Sequence, residues 1–501
     1  MTGAIDRAPD WQAAREAAAR ALAIWDGAGP GAVILGFGPA GEAFAQAAGH
    51  EAPGGAALSA GSVLRWASMT KHVFANVLIE SGLLPLDTAL GAVLDMHPVP
   101  GAVTVRQALS MQGGLPDTRE MLTLAGLSAD EVTRADDLLR WSAALPRLNA
   151  EPGTEVAYSN AGYRLAEAAL EARGMRFDAA VAAISARLGL GMRAAQFWSD
   201  PVPGLAPGHV PDPAGWRNGA QGMHLSAAGS LAGSARDLSG WLADLMTRDS
   251  FALQAAPAVL RDGRPTDYGL GLRRTAVAGR VLIGHGGSQS GYRAAFLLAP
   301  ELRAGVVVLS NRDDADAEGM ARRVLCAALG LEAPMRPATG WAAPGLYVGE
   351  GNLWAEVRDA SIVLRDAEEP LFADADGWAS ARPGRPVTRL RQDGADLVGE
   401  IGYLACRLRP VRPCADAIPE GVWHSDGHVI TLRDGAVTWG RGPNRRQSAL
   451  EPLGGGRWLF RAMGRRICLR RTAADRIELS LARARVAEYS PLGQDAAPGP
   501  G

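Results

Sequence analysis

Apolar and polar positions alternate with two different periods in the first part of the chain. From 9 to 25 apolar side chains recur at helical spacing with charged residues between them, and glycines at 27–31 end this pattern, which predicts a surface helix. Two short apolar runs, 32–37 and 43–48, are separated by Gly38-Pro39-Ala40-Gly41 and predict two strands joined by a hairpin turn. A third extended piece at 62–66 leads into a helical run at 68–80.

Helix-length patterns dominate the middle of the chain, at 136–144, 162–173 and 227–246. Extended patterns return at 268–273, 280–284, 292–298 and 305–310, and a helical pattern follows at 317–329. Strands at both ends of a segment whose middle is helical predict one mixed sheet, closed by the two ends of that segment. We expect this first domain to cover residues 1–335.

The last third of the chain has a different pattern. Residues 334–343 have the proline and glycine content of a linker, and short alternating strands with glycine turns follow. Gly345-Leu346-Tyr347 is repeated further along as Gly421-Val422-Trp423. This repeat predicts two small antiparallel β-barrels, at 340–416 and 417–495.

Charge and hydropathy exclude several classes of protein. The chain has 501 residues and a net charge of -2, which argues against a nucleic-acid partner because such proteins concentrate basic charge. No apolar run approaches the roughly 18 residues that span a bilayer, so we expect no membrane partner. Asp6, Asp10 and Glu16 argue against a secretory signal and a transit peptide, so we expect a cytoplasmic protein.

The cysteines are too few and too scattered to form a disulfide framework. None of them shows CxxC spacing, and we expect them to be reduced and mostly in the core. They are Cys326, Cys406, Cys414 and Cys468.

Two motifs suggest ligands but are better explained as turns. His424 and His428 flank Asp426, as in some metal sites, but the repeat places them within a turn. The run from Gly36 to Gly41 matches GxGxxG, yet Glu42 would repel a pyrophosphate and no acidic residue follows at the spacing that binds a ribose. We therefore predict neither a metal nor a cofactor.

One lysine stands among the many arginines of this chain. Lys71 lies three residues after Ser68 in Ser68-Met69-Thr70-Lys71, at the start of a predicted helix, so the two side chains share one face of its first turn. A buried lysine can lose its proton near neutral pH and act as the base for the serine, which an arginine cannot do. In the alternative, Ser68 is a helix cap and Lys71 a surface residue.

Two further motifs carry polar groups that the same chemistry requires. In Tyr158-Ser159-Asn160 the phenol could relay a proton, and the amide of Asn160 could orient the lysine and a substrate carbonyl. In His285-Gly286-Gly287-Ser288 the two glycines would let a substrate lie against the strand edge. The backbone N–H groups of Ser68 and Ser288 could form an oxyanion hole. Each motif alone would more often be a turn.

These three motifs, in this order, resemble those of the penicillin-recognising serine hydrolases, which include β-lactamases, DD-peptidases, esterases and D-aminopeptidases. The resemblance covers about residues 10–335, and the segment from Gly113 to Asp117 adds to it. It implies an α+β domain with an antiparallel sheet flanked by helices and an all-helical region. It also implies Ser68 as acylated nucleophile, Lys71 as base, Tyr158 as proton relay and Asn160 as positioning amide.

His285 stands where many members of this group have a lysine, and a histidine offers less fixed positive charge for a carboxylate. Together with the two barrels, this makes the chain most similar to the D-aminopeptidases. That resemblance implies release of N-terminal D-residues from small peptides and amides, a homodimer, and a loop of the last barrel that reaches the active site and helps bind the free ammonium. Candidates for this loop are 441–456 and 463–466.

Two other functions remain open from the sequence. One is a broad carboxylesterase or a β-lactamase or DD-peptidase-like hydrolase on the same domain. The other is a penicillin-binding scaffold that keeps the fold without catalysis.

Overall fold

A six-stranded antiparallel sheet forms the centre of the first domain. The computed structural model describes residues 8–25, 27, 29–128, 130–332, 339–374, 377–380, 387–412, 416–425, 428–442 and 445–492. The strands of this domain are β1 (Ala32–Gly38), β2 (Gly41–Ala48), β3 (Leu64–Arg65), β4 (Arg193–Ala194), β5 (His209–Asp212), β6 (Gly215–Asn218), β7 (Leu231–Gly233), β8 (Arg273–Val277), β9 (Arg280–Gln289), β10 (Tyr292–Ala299) and β11 (Ala304–Ser310).

The order of the main sheet is β2-β1-β11-β10-β9-β8, with every neighbouring pair antiparallel. Strand β1 pairs with β11 in the register Ala32↔Ser310, so the two ends of the segment meet inside one sheet, as the sequence predicts. The expectation of a mixed sheet was wrong, and the antiparallel sheet implied by the family resemblance is confirmed. The Gly38–Gly41 turn joins β1 to β2, which confirms the hairpin at the GxGxxG sequence.

Helices cover both faces of this sheet. They are α1 (Trp11–Leu22), α2 (Thr70–Ser81), α3 (Pro98–Gly101), α4 (Val105–Leu109), α5 (Thr118–Leu124), α6 (Ala135–Ala143), α7 (Ala161–Glu171), α8 (Phe177–Leu188), α9 (Ala235–Leu245), α10 (Asp249–Ala255) and α11 (Ala317–Leu329). Along β1, Ile34 packs in the cluster that contains α1 and α11, whereas Val33 and Leu35 pack in the cluster that contains α2, α7 and α9. Because both faces are buried, β1 is a continuous apolar run.

Several predicted elements differ from the structure. The helical pattern at 227–246 contains β7 and a shorter helix, α9, because Ser234 caps α9 by accepting a hydrogen bond from the Asp237 backbone N–H. The predicted strand at 268–273 is also wrong: Tyr268 forms only an isolated bridge to Arg273, where β8 begins. Strand β9 is longer than the pattern predicts and includes the whole His285–Ser288 motif.

Two β-barrels follow the first domain, which confirms the predicted fold class. The first is closed, in the order β12 (Gly345–Val348), β13 (Trp354–Val357), β14 (Ser361–Leu364), β15 (Ala367–Asp374), β16 (Gly377–Ser380), β17 (Thr388–Asp393), β18 (Asp396–Ile401) and β19 (Leu404–Pro410). The repeated sequences form its first strand and the first strand of the second barrel. The exact domain boundaries stay a prediction.

The second barrel is a nine-stranded sheet whose two edges nearly meet. Its strands are β20 (Gly421–Ser425), β21 (His428–Arg433), β22 (Ala436–Trp439), β23 (Arg446–Ala449), β24 (Glu451–Pro452), β25 (Arg457–Ala462), β26 (Arg465–Ala473), β27 (Arg476–Ser480) and β28 (Ala487–Pro491). Met121 and Leu124 of α5 pack into its core, so this barrel is anchored to the helix that follows Asp117.

The structure also places the cysteines and part of the histidine motif that were discussed from the sequence. Cys326, Cys406 and Cys468 are free thiols, whereas Cys414 lies outside the described residues. His428 is buried beside Tyr489, and Asp426 is also outside the described residues. Among the residues that are described, no helix is both long and apolar enough to cross a bilayer.

Candidate active site

Ser68 lies in a tight turn between a strand and a helix. It is the middle residue of a 3-10 turn, Ala67–Met69, which follows β3 and runs directly into α2. Ala67 has a φ of 51°, a left-handed conformation that turns the chain sharply before Ser68. The Thr70 hydroxyl holds this turn by donating to the Ala67 carbonyl at 2.7 Å. Lys71 follows in the first turn of α2, so the expected strand-to-helix context is present.

The side chain of Lys71 is completely buried against Ser68. Its Nζ lies 3.2 Å from Ser68 Oγ, 2.8 Å from Asn160 Oδ1 and 2.7 Å from the Ala228 carbonyl oxygen. A neutral amine would donate its two N–H groups to the two shorter contacts, and its lone pair would then face the serine hydroxyl. The alternative of a solvated surface lysine is therefore wrong.

The surroundings of Lys71 favour this neutral form. Burial holds the pKa of Lys71 well below its ordinary value, and the carboxylate of Asp117 opposes this effect. The positive charges of Arg483 and Arg119 lower the pKa of Lys71 further. Such an amine can accept the proton of a serine at neutral pH.

Tyr158 approaches the serine from the other side. Its hydroxyl donates to Ser68 Oγ at 2.6 Å, and burial raises the pKa of Tyr158 to about 12. The phenol therefore keeps its proton at neutral pH. Lys71 Nζ lies 4.8 Å from the centroid of the same ring, so Ser68, Lys71 and Tyr158 form one contact group.

Asn160 is held in one orientation by Asp117. Its Nδ2 donates to Asp117 Oδ2 at 2.7 Å and its backbone N–H donates to the same oxygen at 3.0 Å, which leaves Oδ1 directed at Lys71. Asp117 is fully buried and accepts from the Glu120 backbone N–H as the cap of α5. No role for Asp117 is predicted from the sequence, although an acidic residue just before a helix is a recognisable N-cap signal.

His285 lies inside β9 behind Tyr158, with 6.5 Å between their ring centroids. Its Nδ1 donates to the Gly286 carbonyl at 2.6 Å, so Nε2 is the acceptor for the Tyr268 hydroxyl at 2.9 Å. Burial holds the pKa of His285 well below its ordinary value, and protonation of Lys71 would lower that pKa further. The ring is neutral and adds no positive charge to the site.

The edge of β9 beside the serine turn is not paired with β8. Strand β8 pairs with β9 only as far as Gly284, and beyond it β9 lies against the backbone of Trp66. A Cβ built at Gly287 would lie 2.3 Å from the Trp66 carbonyl oxygen, so only glycine permits this approach. Gly286 differs, because a Cβ there would lie 1.8 Å from Glu318 Oε1 instead. Ser288 is exposed at the cavity, and its place in an oxyanion hole stays a prediction.

A cavity of about 840 Å³ opens above these groups. Both barrels contribute to its walls, including Arg365 from the first and Arg465 from the second. Of the two candidate loops, 463–466 reaches the cavity through Arg465, whereas no described residue of 441–456 lines it. Arg441 instead donates to the Ala125 carbonyl at 2.8 Å.

A third segment, the hairpin loop between β27 and β28, reaches Tyr158 and was not predicted from the sequence. Arg483 in this loop stacks over the Tyr158 ring, 5.5 Å from its centroid. The Arg483 carbonyl accepts from the Asp117 backbone N–H at 2.8 Å, and Arg485 pairs with Glu155. The sequence offered no signal for this loop, because Leu481-Ala482-Arg483-Ala484-Arg485 resembles any other hairpin.

The beta-lactamase family model matches residues 12–329 of this chain. The chain belongs to the beta-lactamase family. It is a serine hydrolase, and Ser68 and Lys71 lie inside the matched segment. A D-aminopeptidase of Cereibacter sphaeroides is 31% identical over 385 residues, which cover 71% of this chain and 73% of that protein.

Two solved structures share the fold of this serine hydrolase. The octameric penicillin-binding protein homologue from Pyrococcus abyssi has a TM-score of 0.55 at 18% identity, covering 96% of this chain and all of that one. The D-amino acid amidase from Ochrobactrum anthropi, complexed with L-phenylalanine amide, has a TM-score of 0.54 at 20% identity. The match covers 64% of this chain and 98% of the amidase chain. The first likeness extends over the barrels and the second does not.

Proposed function

We propose that this serine hydrolase is D-stereospecific and releases N-terminal D-residues from small peptides and amides through an acyl-enzyme on Ser68. The observation that carries the proposal is the buried Lys71, whose Nζ lies 3.2 Å from Ser68 Oγ. The similarity to a D-aminopeptidase supports the substrate class. The likeness to the amidase structure supports the fold in which this chemistry would occur.

The contacts suggest a sequence of proton movements. Lys71 takes the proton of Ser68 as Oγ attacks the amide carbonyl, and the N–H groups of Ser68 and Ser288 stabilise the oxyanion. Tyr158 then delivers a proton to the leaving nitrogen, and the proton held by Lys71 restores the phenol. Water hydrolyses the ester in a second step and regenerates Ser68.

A panel of small amides tests the proposal. We expect D-alaninamide to be cleaved at least about 100-fold faster than L-alaninamide, with loss of activity when the amine is acetylated. Ser68→Ala should abolish turnover, and mass spectrometry should find a fluorophosphonate adduct at Ser68 only in the wild type. Equal cleavage of the two enantiomers would overturn the stereospecificity, and no adduct would favour the non-catalytic scaffold.

A p-nitrophenyl ester and nitrocefin, assayed beside D-alanine p-nitroanilide, separate the proposal from a broad esterase or a β-lactamase. The neutral His285 is relevant here, because it supplies no fixed charge for the carboxylate of a β-lactam. The homodimer and the cytoplasmic location stay predictions.

A further inference from the structure

The carboxylates beside Tyr158 are already occupied by protein groups. Asp117 accepts both hydrogen bonds from Asn160 and lies 3.7 Å from the Arg483 guanidinium. Glu120 accepts from the backbone N–H and the Nε of Arg483 and also pairs with Arg465. Because both carboxylates are buried and paired, neither is available to a substrate cation without breaking these contacts.

Arg119 lies between Asp117 and Glu120 in sequence but, unlike them, is not held by an ion pair within the described residues. It lines the same cavity as Ser68 and Tyr158. Among the residues that the structure describes, no carboxylate oxygen lies within 4 Å of its guanidinium, and no side-chain hydrogen bond satisfies it. Two other arginines at the cavity are paired, Arg293 with Asp313 and Arg485 with Glu155.

The charge of Arg119 acts at the reacting groups. Arg119 lies on α5 between Asp117, which holds Asn160, and Glu120, which holds Arg483 over the Tyr158 ring, so α5 places it on the Tyr158 side of the site. Its charge adds to the lowering that burial causes in the pKa of Lys71 and opposes the rise that burial causes in the pKa of Tyr158. Burial lowers the pKa of Arg119 itself and the charge of Asp117 opposes this effect, and an arginine remains charged at every pH of interest. A partly shielded cation with no carboxylate at ion-pair distance is a favourable place for the carboxylate of a ligand.

We propose that Arg119 binds a carboxylate on the leaving group, so that the preferred substrates are short peptides whose free C-terminal carboxylate lies one residue beyond the scissile bond. This rests on the proposed function, in which Tyr158 delivers a proton to the leaving nitrogen. The leaving group then lies on the Tyr158 side of Ser68, where Arg119 also acts. Recognition of this carboxylate thus falls to Arg119, while His285 is neutral.

The contribution of the contact between Arg119 and the substrate carboxylate can be measured with two substrates that differ only in that charge. We expect kcat/KM for D-alanyl-glycine to exceed that for D-alanyl-glycinamide by about 10- to 100-fold in the wild type, the range of a charge-assisted hydrogen bond. Arg119→Gln should bring this ratio close to one, mainly through KM of the free acid. Arg119→Lys should retain part of the ratio because it keeps the charge.

Arg140→Gln is the matched control, since Arg140 is an exposed arginine paired with Asp137 on α6. It should keep the wild-type ratio. A ratio near one in the wild type, or a ratio that Arg119→Gln leaves unchanged, would overturn the proposal even if both substrates are cleaved. Circular dichroism checks that Arg119→Gln is folded.

Two further measurements show which part of the substrate carries the carboxylate and separate this proposal from the proposed function. If the amide of D-aspartic acid is preferred over that of D-asparagine, and this preference depends on Arg119, the arginine binds the acyl side chain and the leaving-group assignment is wrong. Failure to cleave D-alaninamide would contradict the proposed function instead. The two failures are therefore distinguishable.

Discussion

The guanidinium carbon of Arg483, on the last barrel, lies 5.5 Å from the ring centroid of Tyr158 in the first domain. Its Nε donates to Glu120 Oε1 at 3.1 Å, and its terminal nitrogen lies 3.7 Å from Asp117. Asp117 orients Asn160, which in turn accepts from Lys71. A chain of charged and polar contacts thus connects the second barrel with the proposed base.

Removing Arg483 should change the pH dependence of catalysis. The acid limb of kcat/KM reports deprotonation of Lys71, and the charge of Arg483 lowers the pKa of that lysine. In Arg483→Ala the pKa of Lys71 should rise, so the limb should move to higher pH and kcat/KM at neutral pH should fall roughly tenfold. Arg483→Lys keeps the charge and should restore most of the profile. A lower rate with an unmoved limb would show that Arg483 acts only through packing.

Lys71→Arg tests the base directly. A guanidinium keeps the positive charge but cannot accept the proton of Ser68, so acylation should fall by about 10³-fold. The rate of adduct formation with a fluorophosphonate measures this step. Because Lys71 is completely buried, the larger side chain should also cost about 1–3 kcal/mol of stability, which thermal unfolding measures. Near-normal acylation in a folded variant would mean that another group takes the proton.

Gly287→Ala should separate β9 from the serine turn. The added Cβ would lie 2.3 Å from the Trp66 carbonyl oxygen, and this backbone atom cannot move without shifting Ala67 and Ser68. We expect a loss of about 1–3 kcal/mol of stability together with a lower kcat. Gly61→Ala is the control, since its Cβ would meet nothing closer than 3.6 Å. Equal behaviour of the two variants in kcat and Tm would contradict the close approach.

His72 should make the protein less stable in acid. Burial lowers the pKa of His72 to about 3, whereas an unfolded histidine titrates near 6.5. Between these pH values the unfolded state binds more protons, so the free energy of unfolding should fall as the pH falls, by up to about 1.4 kcal/mol per pH unit. Above pH 6.5 this contribution is complete.

The neutral form of His72 also satisfies both of its neighbours, since Nδ1 donates to the Met69 carbonyl and Nε2 accepts from Trp241 at 2.8 Å. Urea unfolding across this pH range should give a shallower dependence for His72→Gln than for the wild type. His97→Gln, at an exposed position, serves as the control. Titration of the ring protons by NMR gives the same information if His72→Gln folds poorly, and a ring that titrates near pH 6 would contradict the prediction.

Elements with a strong local pattern were predicted well from the sequence. The helix α11 occupies the predicted residues 317–329, and β1 and β11 differ from prediction by no more than one residue at either end. Short elements were predicted poorly. The strand β7 has only three residues and is held by pairing with β3 and β4, so nothing in its own sequence distinguishes it from the helix that follows.

The sequence by itself determined which groups could react, because a lone lysine three residues after a serine, a Tyr-x-Asn and a His-Gly-Gly are local patterns. Only the tertiary structure decided that the side chains of Ser68, Lys71, Tyr158 and Asn160 meet. It also decided that Asp117 contacts Asn160 and that Arg483 contacts Tyr158. Asp117 and Arg483 are 366 positions apart, and their contact depends on how the last barrel docks against α5. Burial and charge pairing arise from that docking, so the lowered pKa of Lys71 and the surroundings of Arg119 belong to the fold.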